Sequence, residues 1–216
     1  MSENKKNIPT PSNDVVKSYL KEWESLEDYR EQENAIDNLF HEVYKGNSDL
    51  NGILIKCSVL NDFYSTNIFK VFPVAKHIQS ISNIDDRLSS GDVELVNEIA
   101  KNTIEDTEKD FYSFETKYCS HHNQNDYPIY DYYVEKMLLH FKKKDHFCKF
   151  KRQDLKDYPK FKSILEEFRK KYNLDFSFKE LDRYLWLSGK DFFPRKKPKS
   201  ANEKIEDELG MDEALS

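Results

Sequence analysis

Apolar residues recur every three or four positions along most of the chain, as they do on the buried face of an amphipathic helix. The runs are separated by polar or turn-forming stretches such as Gly46-Asn47-Ser48. The spacing predicts helices over residues 15–26, 35–44, 50–60, 68–78, 93–100, 111–122, 131–141, 160–172 and 178–189.

Local signals refine the ends of several elements. Ser177 followed three residues later by Glu180 is a capping box that opens the last helix, and Gly189 is predicted to end it. Pro73 is expected in the first turn of its helix or at a kink. The polar residues 102–108 are predicted to form a linker or a short helix.

The composition supports a helical fold. Only five glycines occur in 216 residues, whereas tight β-hairpins depend on glycine or Asn-Gly turns. We therefore expect an all-α protein with a single multi-helix domain at residues 13–193. Residues 1–12 are predicted to be a disordered tail, and residues 194–216 a basic and then acidic tail.

The formal net charge is −6, so any binding to nucleic acid must come from a local patch. Three widely spaced cysteines do not form a disulfide framework, and the pairs Cys119-x-His121 and His146-x-Cys148 have poor spacing for zinc. We expect no metal and no cofactor. The first residues show no signal-peptide pattern and no stretch is apolar enough to cross a bilayer, so we expect a cytoplasmic protein without membrane contact.

Candidate chemistry concentrates between Phe111 and Leu139, where Asp131 stands at the start of a predicted helix. A carboxylate in that position accepts hydrogen bonds from the free amides of the first turn, and the helix dipole favours its anionic form. Asp131 is thus either a structural N-cap or a catalytic carboxylate. The tyrosines around it either belong to the core or stack on a base.

The run from Tyr127 to Leu138, with aromatic-Pro-Ile-x-Asp-x-x-Val at its start, resembles the helix-hairpin-helix DNA glycosylase superfamily. The resemblance implies that Asp131 is the catalytic carboxylate. It places Ser113 where bifunctional members carry a Schiff-base lysine, which implies a monofunctional enzyme. A fainter likeness at residues 60–78 implies pocket roles for Asn61, Asp62 and Tyr64, with Tyr130 beside them. The family's glycine-rich hairpin turn would fall on residues 109–111, which contain no glycine.

A basic segment follows this region, with Phe147 and Phe150 among its charges. Its cationic residues could neutralise phosphates, and they are Lys142, Lys143, Lys144, Lys149, Lys151 and Arg152. We therefore consider two functions. The first is a glycosylase-like protein that acts on a flipped base in DNA, or a nucleic-acid-binding relative of such enzymes. The alternative is a non-enzymatic helical module that binds a protein partner.

Overall fold

The computed structural model describes residues 7–104 and 107–195, with only the backbone described at residues 102–104 and 107–110. The prediction of an all-α fold is confirmed, since helices make up nearly all of the regular structure. The α-helices of the described chain are α1 (Asn13–Ser25), α2 (Glu27–Asn38), α3 (Leu50–Phe63), α4 (Val71–Ser80), α5 (Ile84–Ser90), α6 (Val93–Ala100), α7 (Tyr112–His122), α8 (Tyr132–Asp145), α9 (Tyr158–Lys171) and α10 (Phe178–Phe192). A π-helical segment, Leu39–Val43, extends α2, and a 3₁₀ turn, Arg152–Lys156, precedes α9.

Side-chain caps fix the start of several helices. Ser12 and Asp92 accept hydrogen bonds from first-turn amides of α1 and α6, and Asp49 does the same for α3. The predicted capping box at Ser177 and Glu180 is confirmed, because each side chain bonds the backbone of the other residue. The helix starts are therefore encoded locally.

The core is aromatic to an unusual degree. Helix α10 packs against α8 and α1, while α7 packs against α6 and α3. The largest side chains that are essentially inaccessible to solvent are Tyr118, Tyr127, Tyr158, Tyr184, Phe40, Lys56, Phe114, Phe141, Phe161 and Phe168. Burial of each aromatic side chain removes roughly 150–250 Å² from water. The tyrosine rings thus contribute to the core as hydrophobic groups, and several of their hydroxyls bond backbone carbonyls.

The prediction of a linker or short helix at residues 102–108 is wrong. The chain there forms an antiparallel ribbon of β1 (Lys101–Ile104) and β2 (Thr107–Asp110), in which Lys101 pairs with Asp110. The β-branched residues Thr103, Ile104 and Thr107 favour this conformation over a helix. Residues 109 and 110, at which the resemblance placed a glycine-rich helical hairpin, are therefore part of a β-ribbon.

The expectation at the start of the chain changes. Residues 7–12 belong to no helix or strand, yet Ile8 is buried and its carbonyl accepts a hydrogen bond from Lys144, a packing not expected from the composition of residues 1–12. Residues 1–6 and the predicted tail from residue 196 onward lie outside the described residues. Pro73 is found in the first turn of α4, as predicted.

Gly189 does not end the last helix, which continues to Phe192. Its role is to let α10 approach α8. A Cβ atom on Gly189 would lie 2.5 Å from the Cβ of Tyr133 and 3.1 Å from its Cα. Because the 2.5 Å contact is too short for real atoms, only glycine permits this helix packing.

We predict that Gly189→Ala destabilises the protein, although alanine is a better helix former by about 1 kcal/mol. The added methyl group must push α10 away from Tyr133, at a cost of about 1–3 kcal/mol. Thermal unfolding of the variant and the wild type measures the difference. An unchanged or higher Tm would show that the two helices are free to separate.

Candidate functional site

A cavity of about 460 Å³ opens between the start of α7, the segment before α8, and helices α1, α2 and α10. This volume falls within the range of about 300–1,000 Å³ that is typical of small-molecule sites. Ser65, Thr66 and Asn67, from the turn after α3, complete one side of its rim. The cavity therefore brings together segments that are far apart in the sequence.

Aromatic rings form much of the cavity wall. Trp186 packs edge-to-face against Trp23 and Tyr29, with ring centroids 5.8 Å and 5.1 Å apart, respectively. Tyr112 and Tyr130 meet with centroids 5.1 Å apart on the side formed by α7 and α8. Rings fixed in this way offer flat apolar surfaces on which a planar ligand can stack.

Asp131 is both a helix cap and a cavity residue. One of its carboxylate oxygens accepts a hydrogen bond of 2.8 Å from the amide of Val134, and the side chain lines the cavity. Burial raises the pKa of Asp131, while Lys117 and the amides of Val134 and Tyr133 oppose that rise. The structural and catalytic interpretations are therefore compatible, since the cap orients a carboxylate towards the cavity.

Lys117 is the residue that the sequence interpretation missed. Its ammonium group is buried and donates hydrogen bonds to the Ser113 hydroxyl at 2.7 Å, the Ser113 carbonyl at 2.8 Å and the Tyr130 carbonyl at 3.1 Å. Burial lowers its pKa to about 8, although Asp131 and Asp182 favour the charged form. The available signal was spacing, because Ser113 and Lys117 stand four residues apart on one helical face.

Asp182 is a second carboxylate in the same cavity. Burial and then repulsion from Asp131 raise its pKa to about 7, against the attraction of Lys179 and Lys117. Nearby Glu33 is buried but forms ion pairs with Lys179 and with Arg183, the latter at 2.5 Å. Glu33 is thus neutralised by its partners, and Asp182 is not paired in this way.

A lowered lysine pKa is not confined to this cavity. Lys56 is fully buried, and its ammonium group donates to the Gly46 carbonyl at 3.0 Å and to the Asn47 side chain at 2.8 Å. Burial also lowers its pKa to about 8. Lys56 is outside the described lining of the main cavity, however, and its contacts fasten the turn after the π-helical segment to α3. Lys117 differs from Lys56 because it lines a cavity together with the carboxylates of Asp131 and Asp182.

The other predicted pocket residues divide into two groups. Ser113, Tyr64 and Tyr130 line the cavity, whereas the described lining does not include Asn61 or Asp62. Asn61 instead organises the turn after α3, since its side chain bonds both the amide and the carbonyl of Ile68. The structure therefore does not place Asn61 or Asp62 in this cavity: Asn61 is bonded to Ile68, and Asp62 is exposed at the end of α3.

The predicted nucleic-acid-binding segment is only partly free to bind a ligand. Lys144 bonds the Ile8 carbonyl, Lys142 lies over the Phe150 ring, and Arg152 forms an ion pair of 2.6 Å with Glu135. Phe147 and Phe150 are buried and so cannot stack on bases. Within this fully described segment, the lysines that remain exposed without such contacts are Lys143, Lys149 and Lys151.

Among the described residues, neither histidine–cysteine pair forms a metal cluster. Cys119 and His121 are buried in α7, and His146 follows α8 in a left-handed conformation. Within residues 7–104 and 107–195, no group of three or more potential ligands is close enough to hold a metal ion. No described helix has the length and apolar character needed to cross a membrane.

Fold and site together define a helical protein whose aromatic cavity brings the Lys117 amine together with the Asp131 and Asp182 carboxylates. The chain belongs to the HI_0787_N family, described as an N-terminal domain, which matches residues 15–126. An uncharacterized protein of Haemophilus influenzae is 54% identical over 145 residues, covering 67% of this chain and 70% of that protein. No solved structure matches the chain. The family match includes Lys117 but ends before Asp131 and Asp182.

We predict that Asp182→Asn raises the Tm at pH 8. The folded state raises the pKa of Asp182 from 3.8 to about 7, so its ionisation opposes folding. The free energy of folding that is lost through ionisation of Asp182 is therefore zero below about pH 4, grows up to about pH 7 and is constant above that pH.

Unfolding curves between pH 4 and 8 check this expectation. Asp175→Asn, which changes an exposed carboxylate just before the same helix, is the matched control and should show no such pH-dependent gain. Equal Tm values for Asp182→Asn and wild type at pH 8 would contradict an unpaired carboxylate with a raised pKa at this position.

Proposed function

We propose that the protein cleaves the N-glycosidic bond of a nucleotide that has been flipped out of DNA. The observation that carries the proposal is the position of the Lys117 amine and the Asp131 carboxylate in one aromatic cavity. A strongly perturbed amine beside a carboxylate in a cleft is characteristic of catalytic sites. The resemblance of residues 127–138 to the glycosylase superfamily supports the same assignment.

Asp131 would stabilise the sugar as the bond to the base breaks. Positive charge then develops at C1′ and the ring oxygen, so an anion held nearby lowers the energy of the transition state. The cap bonds keep this carboxylate oriented without any reorganisation during the reaction. The role requires the ionised form, which Lys117 and the helix amides favour.

Lys117 would supply the nucleophile. A lysine whose pKa is lowered by burial has a substantial neutral fraction near pH 8 and can form a Schiff base. Its nitrogen would bond to C1′ while the bond between C1′ and the base breaks, and the electron pair of that bond would leave with the base. The nitrogen then loses a proton, and the bond between C1′ and the ring oxygen O4′ breaks. The electron pair of that bond stays on O4′, which takes up a proton, and an iminium ion remains between Lys117 and the sugar.

This role alters the expectation drawn from Ser113. The serine stands where bifunctional relatives carry their lysine, yet its hydroxyl accepts a hydrogen bond from Lys117, one helical turn further on. An amine therefore reaches the same cavity from the next turn of α7. We propose a bifunctional enzyme in which Ser113 positions the amine.

The cavity walls suit a nucleobase. Trp186, Tyr29 and Tyr132 line its interior with rings that are only partly buried, and stacking on such rings contributes about 1–3 kcal/mol per base. A base inside a duplex cannot enter a cavity of this kind, so the nucleotide must leave the helix first. The substrate class that follows is an extrahelical purine or pyrimidine nucleotide.

Local positive charge would hold the DNA backbone despite the net charge of −6. Lys156 and Arg195 line the cavity, and the ion pair of Arg152 with Glu135 connects the basic segment to the cavity wall, because Glu135 also accepts from Tyr130. The β-ribbon contains no glycine at residues 107–110. Phosphate contacts would therefore come mainly from side chains.

We predict that reaction with a duplex containing one abasic site, in the presence of cyanoborohydride, gives a covalent protein–DNA product. The abasic aldehyde tests the amine without knowledge of the base that is removed. Lys117→Gln should eliminate the product, while Lys76→Gln, which removes an exposed lysine of α4, should retain it. Gel electrophoresis detects the product and peptide mass spectrometry locates it.

The same proteins should then be tested for base release from duplexes that each carry one oxidised, deaminated or alkylated base. Asp131→Asn is expected to slow base release by about 10²–10⁴-fold. Trapping at another residue would transfer the amine role away from Lys117. A wild-type protein that neither forms the adduct nor releases any base would contradict the proposed function.

A second candidate is the helical module that binds a protein partner, favoured by one surface feature. Phe69 is 96% exposed and Phe72 is 57% exposed, next to the turn that forms the cavity rim. Large exposed aromatic side chains are uncommon in an otherwise well-packed protein. Binding to DNA discriminates between the two candidates.

We predict that the protein binds duplex DNA with an affinity that falls as salt increases. Replacing Lys143, Lys149 and Lys151 by glutamine should make the slope of log K against log salt shallower by about 0.9 for each phosphate that is no longer neutralised. Replacing Lys17, Lys21 and Lys76, exposed on other helices, removes the same charge and should have less effect. Fluorescence anisotropy at several salt concentrations provides the measurement. Salt-independent or absent binding would favour the protein-binding module.

A further inference from the structure

We infer that Asp182 is the proton donor to the departing base, while Asp131 remains the anion that faces the sugar. This assignment rests on the proposed function and divides the work of that site between its two carboxylates. Catalytic acids and anions are commonly distinguished by the different environments of two neighbouring carboxyl groups. The cavity provides such a difference.

The helix geometry places Asp182 on the wall of the cavity. Asp182, Trp186 and Gly189 follow one another at intervals of four and three residues, so they share one face of α10. Gly189 contacts Tyr133 at the start of α8, and Trp186 lines the cavity. The same face therefore directs Asp182 into the space in front of Asp131.

The two carboxylates differ in their hydrogen-bond donors. Asp131 receives hydrogen bonds from the amides of a helix N-terminus, which favour its charged form against the effect of burial. Asp182 is the fifth residue of α10, where backbone amides are used within the helix. In the described part of the chain, its carboxylate has no hydrogen bond or ion pair. Its pKa is shifted by burial and by more distant charges.

The charged groups that face Asp182 come from four elements. Asp131 from the start of α8 and Glu33 from α2 disfavour its ionisation, whereas Lys179 from α10 and Lys117 from α7 favour it. Lys179 and Arg183 form ion pairs with Glu33, so much of the positive charge near Asp182 is neutralised by Glu33. On α1, Tyr19 bonds Asp191 two to three turns further along α10. The balance leaves Asp182 protonated up to about pH 7.

The chemical step is balanced within the site. The proton of the Asp182 carboxyl moves to a ring nitrogen of the base as the glycosidic bond breaks, and the bonding electron pair leaves with the base. Lys117 bonds to C1′ and becomes a secondary ammonium. That ammonium returns one proton to the Asp182 carboxylate, which restores the acid. Hydrolysis of the later iminium ion by water breaks the bond between C1′ and the nitrogen and frees Lys117 for the next turnover.

The proposal predicts a bell-shaped pH profile for base release. The reactive form has a neutral Lys117, whose pKa is about 8, and a protonated Asp182, whose pKa is about 7. The rate should therefore rise as Lys117 loses its proton, reach a maximum between about pH 7 and 8, and fall as Asp182 ionises. Because the pKa of Lys117 lies above that of Asp182, the form with a neutral amine and a protonated carboxyl group is a minor fraction of the protein at every pH.

Single-turnover base release from the best duplex of the damaged-base panel tests the acid role. Asp182→Asn is expected to lower the rate by about 10²–10⁴-fold and to remove the fall at high pH. Asp182→Glu should restore part of the rate together with a fall at high pH. Cyanoborohydride trapping on an abasic site has no leaving base, so Asp182→Asn should still form the adduct.

The possible outcomes distinguish a failure of the acid role of Asp182 from a failure of the proposed function. Unchanged base release with an unchanged pH profile in Asp182→Asn would overturn the acid role and leave the proposed function standing. An equal loss of base release and trapping would show that Asp182 is only structural. If the wild type neither releases a base nor forms the adduct, the proposed function and the role of Asp182 fail together.

Discussion

The ammonium group of Lys117 is the constraint around which the site is arranged. Transfer of a charged amine from water to a protein interior costs several kcal/mol, so the fold must compensate it. Ser113 and the carbonyl of Tyr130 supply three hydrogen bonds, and hydrogen bonds to charged groups contribute about 1.5–3 kcal/mol each. The segment between α7 and α8 has to return to α7 to provide that carbonyl. The conformation of residues 123–131 therefore depends on the charge of Lys117, which the carbonyl of Tyr130 stabilises.

Aromatic packing makes this return path rigid. Tyr127 donates a hydrogen bond to the carbonyls of Arg87 and Asp92, and Tyr158 donates one to the carbonyl of Pro128. Buried tyrosines thus bind the connecting segment at successive points to α5, α6 and α9. Because the interior is dense, these hydrogen bonds hold the connecting segment in place beside the cavity.

Most of the fold could be predicted from the sequence because amphipathic spacing and capping residues act locally. The first residues of α1, α6 and α10 follow from the capping residues Ser12 and Asp92 and from the Ser177–Glu180 capping box. The β-ribbon escaped prediction since a four-residue strand has no usable periodicity. Gly189 was misinterpreted because a helix stop and a helix contact require the same residue, and only tertiary structure distinguishes them.

The site was only half predictable for a similar reason. Asp131 carried both a capping signal and a family-like motif, so the sequence singled it out. Asp182 and Lys117 had no motif, and each resembled an ordinary charged residue on a helix. Their chemistry arises from burial and from one another's charge, which depend on distances across the fold. Asn61 shows the converse, since a polar residue near the cavity in sequence is used to shape a turn.

The bond from Lys117 to the carbonyl of Tyr130 has a mechanical consequence. Tyr130 directly precedes Asp131, so the amine and the capping carboxylate belong to one rigid unit, and a displacement of either carries the other with it. Asp182 belongs to a different helix, whose separation from that unit is set by the contact between Gly189 and Tyr133. The width of the cavity is therefore adjustable by side-chain size at position 189, while the spacing of the amine and its carboxylate is not.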